Sequence, residues 1–197
     1  MNKNLYAKNV SLIITTYQRS KFINLYLDFL DLTNFGGEVL IGDASSKQSY
    51  LDLNKQILNN NYEKFRTTHI SIPKVENNIS YSMNDCFLAC LEKVQTKYVF
   101  LTCDDDLVFP ETLDKLENIL EKFPKYNGAS GDICWVGNDI ISIHGQNRSI
   151  SSDDPIKRLN DYIKRPFHSM FTLVRKDVLT NFVPNEFREI KFNHFAA

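Results

Sequence analysis

The sequence predicts an α/β fold with a mostly parallel central sheet and helices on both of its faces. Two observations predict it. Short runs rich in β-branched and aromatic residues (Val10–Thr16, Glu38–Asp43, Tyr98–Leu101) are apolar almost continuously, as strands buried on both faces are. Between them lie segments whose apolar residues recur at helical spacing, and this alternation builds parallel sheets. Length adds a third constraint: 197 residues fit one domain and can bury a core that needs no disulfide or metal to fold.

Val10-Ser-Leu-Ile-Ile-Thr-Thr16 is the first strand. Ser20 stands where a helix cap is wanted, ahead of Phe22, Ile23, Tyr26, Phe29 and Leu30 at helical spacing. Gly36-Gly37 breaks the chain before the second strand, Glu38–Asp43. A polar helix is expected from about Gln48 to Asn60 and a short strand over His69–Ile72. Tyr81–Val94 places Met83, Phe87, Cys90, Leu91 and Val94 on one helical face. The strand Tyr98–Leu101 runs into Thr102-Cys103-Asp104-Asp105-Asp106, and Pro110 then opens a helix carrying Leu113, Leu116, Leu120 and Phe123. Beyond Tyr126 the rhythm is lost. Strands are expected over Gly128–Val136, Ile140–Ile143 and Phe167–Arg175, a loop over Asn147–Asp154, and a short helix near Lys176–Phe182.

Charge and composition exclude several classes. Lysine and arginine total 23 against 24 aspartates and glutamates, a net charge of −1 with no basic run, so no nucleic-acid partner is expected. The longest apolar stretches fall far short of the ~20 residues of a membrane span. Residues 1–10 carry no apolar signal region, and the four cysteines (Cys86, Cys90, Cys103, Cys134) lack metal-ligand spacing. Reduced, mostly buried thiols in a cytoplasmic protein are the expectation.

In open sheets of this kind ligands bind beyond the carboxyl ends of the strands. That directs attention to Thr15–Arg19, Asp43–Ser46 and Asp104–Asp106. Three consecutive carboxylates are the sharpest feature. Two unit charges ~4 Å apart repel by about 4 kcal/mol at an effective dielectric of 20, so a cleft holding them calls for a cation. All-oxygen ligation favours Mg²⁺ or Mn²⁺, usually completed by phosphate oxygens. A solvated acidic turn is the alternative.

Together these segments resemble family 2 glycosyltransferases of the GT-A fold. Val10–Arg19 is similar to that family's opening strand, Glu38–Ser46 to its second strand with an Asp-x-x-Ser end, and Tyr98–Pro110 to its metal-binding DxD strand. The resemblance covers roughly residues 10–123. It implies a Rossmann-like nucleotide-sugar-binding half over about residues 8–125 and a small mixed acceptor half, possibly truncated, over about 126–197. It implies that Thr15, Thr16, Tyr17 and Arg19 line the nucleotide pocket, with the Tyr17 ring against the base. Asp43, beside Ser45, would accept hydrogen bonds from base or ribose, and Asn84 would face the donor sugar. Asp104, Asp105 and Asp106 would supply the divalent cation, Mn²⁺ or Mg²⁺. Counting back from Pro110 puts the DxD carboxylates on Cys103 and Asp105, and a shift of one puts them on Asp104 and Asp106. Both registers stay open. The implied activity is inverting, metal-dependent transfer from a UDP-, GDP- or dTDP-sugar to a hydroxyl of a glycan or lipid-linked acceptor. An inverting transfer needs a carboxylate base, for which Glu189 and then Glu186 are the candidates. A nucleotide-sugar-binding domain without turnover is the second reading.

Overall fold

The computed structural model describes residues 4–59, 62–72, 83–137, 141–144, 149–164 and 171–182. Its elements are β1 (Val10–Thr16), α1 (Ser20–Leu32), β2 (Glu38–Asp43), α2 (Gln48–Leu58), β3 (Arg66–Ser71), α3 (Met83–Leu91), β4 (Tyr98–Cys103) and α4 (Pro110–Lys122). They are followed by β5 (Gly128–Ser130), β6 (Ile133–Val136), β7 (Ile141–His144), α5 (Pro155–Lys164), β8 (Thr172–Arg175) and α6 (Lys176–Phe182).

Six strands form the main sheet in the order β3-β2-β1-β4-β8-β5. β1 pairs in parallel with β2 and β4, and β2 with β3, whereas β8 runs antiparallel to both β4 and β5. β1 is central, and all seven of its residues are buried, which explains its unbroken apolar run. Strand alternation then sends its side chains to two cores. Leu12 and Ile14 join Val39, Ile41, Tyr98 and Phe100 under α1, α2 and α4. Ile13 joins Leu40 and Val99 under α3, with Leu179 of α6 alongside. The helices therefore cover both faces, as expected.

Gly42 is required by close approach rather than by backbone freedom. A Cβ there would lie 2.9 Å from the Cys86 Cβ and 3.1 Å from both the Cys86 carbonyl oxygen and the Cys90 Sγ. That contact lets α3 lie directly on β2.

Several expectations shift. β3 starts at Arg66 instead of His69 because it pairs with β2 from Glu38 onward; a half-exposed edge strand of Arg and Thr carries no apolar signal. The run expected as one strand over Gly128–Val136 divides. β5 stays in the main sheet, and β6 pairs with β7 in a separate hairpin. α5 is a helix that the sequence reading did not anticipate. It buries none of its residues, leaving Ile156, Leu159 and Ile163 exposed. Among the cysteines, all free, Cys86 and Cys90 are buried, while Cys134 on β6 is exposed.

The packing at Gly42 predicts that Gly42→Ala costs about 1–3 kcal/mol of stability, measured by urea unfolding. Gly131→Ala, where the added Cβ meets only the Thr112 methyl at 3.3 Å, should stay within about 0.5 kcal/mol.

Candidate functional site at the strand ends

The carboxyl ends of β2, β1 and β4 lie side by side in the sheet, so the segments that follow them converge. The register aligns Thr16 with Asp43 on one side and Thr15 with Cys103 on the other.

On the β4 side, Asp104 turns inward. It is 3% exposed and accepts a hydrogen bond from the Thr16 hydroxyl at 2.6 Å. The Arg19 guanidinium reaches it at 3.1 Å and reaches Asp105 at 2.9 Å, while lying 4.2 Å from the centre of the Phe22 ring. Burial raises the Asp104 carboxyl above its ordinary value, and the Thr16 hydroxyl and Arg19 charge only partly pull it back. Asp106 is raised as well, by burial first and then by the neighbouring Asp105 charge. A short turn organises the triplet: Asp106 N–H donates to the Cys103 carbonyl at 3.3 Å, and the Thr102 hydroxyl donates to the Asp106 carbonyl at 2.8 Å. The turn brings the Cys103 sulfur and carboxylate oxygens of Asp105 and Asp106 within 4.8 Å of one another. Burial and these acids together push the Cys103 thiol up.

On the β2 side, Asp43 is completely buried. One carboxylate oxygen accepts the Ser45 N–H at 2.9 Å; the other accepts Asn54 Nδ2 at 2.7 Å and lies 2.9 Å from His69 Nε2. Burial by itself would raise this carboxyl. The bonds from His69, Asn54 and Ser45 outweigh it and hold the group below its ordinary value.

The β1 loop joins the two sides. Gln18 adopts φ 53°, a left-handed conformation unusual for a non-glycine residue. Its N–H donates to the Ser45 hydroxyl at 2.9 Å and its side-chain amide to Ser46 at 2.6 Å, offsetting that strain. Tyr17 is 45% exposed, its hydroxyl 3.3 Å from that of Ser46.

The structure thus gathers Thr15, Thr16, Tyr17, Arg19, Asp43, Ser45 and the three aspartates along one edge. Asn84 falls in the first turn of α3, with its side chain outside the described residues, as are Glu186 and Glu189. Sequence reasoning missed His69 and Asn54, which hold Asp43; only the β2–β3 register and the packing of α2 bring them there. A cavity of about 820 Å³ lies elsewhere, along the β5 edge between Phe123, Tyr126, Ser151, Arg158 and Thr172, and shares no residue with the strand ends. The convergent ionisable groups make the strand ends, not that cavity, the candidate site.

No protein-family model matches the sequence, and no curated protein matches it. Solved structures do match in fold. The mannosyltransferase PcManGT from Pyrobaculum calidifontis, in complex with GDP-Man and Mn²⁺, aligns at a TM-score of 0.59 and 14% identity, over 89% of this chain and 47% of that one. S. aureus TarS 1-349 with UDP-GlcNAc aligns at 0.58 and 20% identity, over 89% and 47%. The same TarS fragment with UDP aligns at 0.59 and 17% identity, over 89% and 48%. The chain has the GT-A-like fold of these glycosyltransferases. It spans about half the length of the solved chains it matches. No helix among the described residues is long and apolar enough to cross a membrane.

Asp43 generates a pH prediction. A carboxyl held below 3.8 in the folded state contributes stability that is present above that pH and is lost as pH falls through the lower folded value. Asp43→Asn should cost roughly 1.5–3 kcal/mol at neutral pH and flatten the acid limb of the stability profile. An unchanged acid limb would contradict the assignment.

Proposed function

We propose that this chain is a glycosyltransferase that moves a sugar from a nucleotide-diphosphate sugar donor to an acceptor hydroxyl. The observation that carries the reading is the acidic turn at the end of β4, set against the β1 loop in a GT-A-like sheet. The structural neighbours support it: the mannosyltransferase structure holds GDP-Man and Mn²⁺, and the TarS structures hold UDP-GlcNAc or UDP.

The residues divide into those that bind and those that position. Tyr17, exposed beside Ser46, offers a ring for the base, and Thr15 is buried at the end of β1 next to it. Asp43, its oxygens already taken internally, holds the β2 end in place, and Ser45 passes that order to the β1 loop through Gln18. Asp104 and Thr16 fix the start of the acidic turn. Asp105 and Asp106 project from it, together with the Cys103 sulfur, as donors with the chemistry and mutual spacing to hold a divalent cation, Mn²⁺ or Mg²⁺. Bound there, such a cation would neutralise charge on the departing nucleoside diphosphate. In the inverting transfer proposed here, an acceptor hydroxyl of a glycan or lipid-linked sugar attacks the anomeric carbon while a carboxylate takes its proton. Glu189, then Glu186, is the proposed base.

The test is thermal unfolding with UDP, GDP or dTDP, with and without Mn²⁺ or Mg²⁺. At about a hundredfold excess over Kd, the matching nucleotide with metal should raise Tm by roughly 5–10 °C. Asp105→Asn should remove the metal-dependent part. Unchanged melting with every combination would overturn the reading. Metal-dependent binding with no sugar transfer to any acceptor would instead identify a binding domain without turnover.

A further inference from the structure

Resting on that cation-binding reading, we propose that Cys103 gives the site a mixed sulfur–oxygen donor set, which widens its preference for Co²⁺ or Zn²⁺ over Mn²⁺ and Mg²⁺ beyond that of an all-oxygen site. Three consecutive aspartates suggest an all-oxygen site, but the structure removes one of them. Asp104 faces the seam between β1 and β4, bound to Thr16 at 2.6 Å and to Arg19 at 3.1 Å. Turning it outward would leave the buried Thr16 hydroxyl without its acceptor, whereas Asp105, which shares the Arg19 guanidinium through Oδ2, already stands 45% exposed at the site.

The third donor of the group is the Cys103 sulfur, within 4.8 Å of carboxylate oxygens of both Asp105 and Asp106. The turn fixes this arrangement: Cys103 and Asp106 are its first and fourth residues, closed by the backbone bond between them, and Thr102 ties down the Asp106 carbonyl. A zinc-like ion would have to draw these donors closer together, to ~2.3 Å for sulfur and ~2.0–2.2 Å for oxygen. Coordination transfers the thiol proton to the buffer.

Softness then decides the cation. Mg²⁺ demands a near-octahedral oxygen shell at about 2.0–2.1 Å and gains little from sulfur. Thiolate favours zinc-like ions, whereas carboxylate alone suits Mg²⁺ and Mn²⁺. One sulfur with two carboxylates lies between these limits and enlarges the preference for Co²⁺ and Zn²⁺ over the one that two carboxylates alone would give. Cys103 is a specificity-determining residue in this account.

The experiment uses the full chain carrying Cys134→Ser, which removes the exposed thiol on β6. Co²⁺ is titrated by absorption spectroscopy, with Zn²⁺, Mn²⁺ and Mg²⁺ as competitors. The expected result is a thiolate-to-cobalt charge-transfer band that Zn²⁺ abolishes and a large excess of Mg²⁺ leaves in place. Cys103→Ser should eliminate the band and weaken Co²⁺ binding by about tenfold or more. Cys103→Asp should also eliminate it and move the Mg²⁺-to-Co²⁺ affinity ratio toward Mg²⁺ by a similar factor. Co²⁺ binding without the band, Mg²⁺ competing as well as Zn²⁺, or unaltered selectivity in both variants would overturn the role of Cys103 and leave an oxygen-only site standing. Failure of all four cations to bind, with or without UDP, would overturn the cation-binding reading itself.

Discussion

The Thr16 hydroxyl donates to the Asp104 carboxylate across the seam between the two central strands, at 2.6 Å and shielded from solvent. Much of the site depends on that bond. A carboxylate this deeply buried needs partners, and Thr16 and Arg19 supply them. By holding Asp104 inward they determine that the next two side chains of the turn project outward. The acidic cluster is thus divided by the fold into one buried carboxylate and two more accessible ones, the pair proposed to hold the cation. Arg19 joins the two parts, spanning Asp104 and Asp105 while lying on the Phe22 ring.

A second buried carboxylate organises the opposite side in the same way. Asp43 has both oxygens taken by Ser45, Asn54 and His69, so its charge is spent on holding the end of β2 and the neighbouring β3 and α2. The Ser45 hydroxyl then accepts from Gln18, whose left-handed backbone sets the direction of the β1 loop. Tyr17 is presented by this chain of contacts. The near-neutral net charge of −1 conceals the arrangement: two internally satisfied acids, Asp43 and Asp104, stand beside an exposed Asp105 and a half-buried Asp106.

The parts legible in the sequence are those whose signal is local. β1, β2 and the first four residues of β4 were readable because burial on both faces makes a strand apolar throughout. The faces of α1 and α4 were readable from their spacing, and the acidic triplet from its place after a strand. What could not be read depends on pairing across the fold. Nothing in Arg66-Thr-Thr-His-Ile-Ser71 identifies His69 as the partner of Asp43; the register of β3 on β2 does that. The inward turn of Asp104 needs Thr16, 88 residues away in sequence. α5 carried a local signal that went unread: Pro155 opens it, and Ile156, Leu159 and Ile163 recur at helical spacing although none is buried.

The central claim is that the ends of β1, β2 and β4 form one nucleotide- and cation-binding site. A crystal soaked with UDP and Mn²⁺ tests it most directly. The account predicts anomalous signal from Mn²⁺ against Asp105 and Asp106, the diphosphate on that ion, and the base beside Tyr17. Nucleotide bound in the cavity at the β5 edge, or at the strand ends with no ion near Asp105, would contradict it.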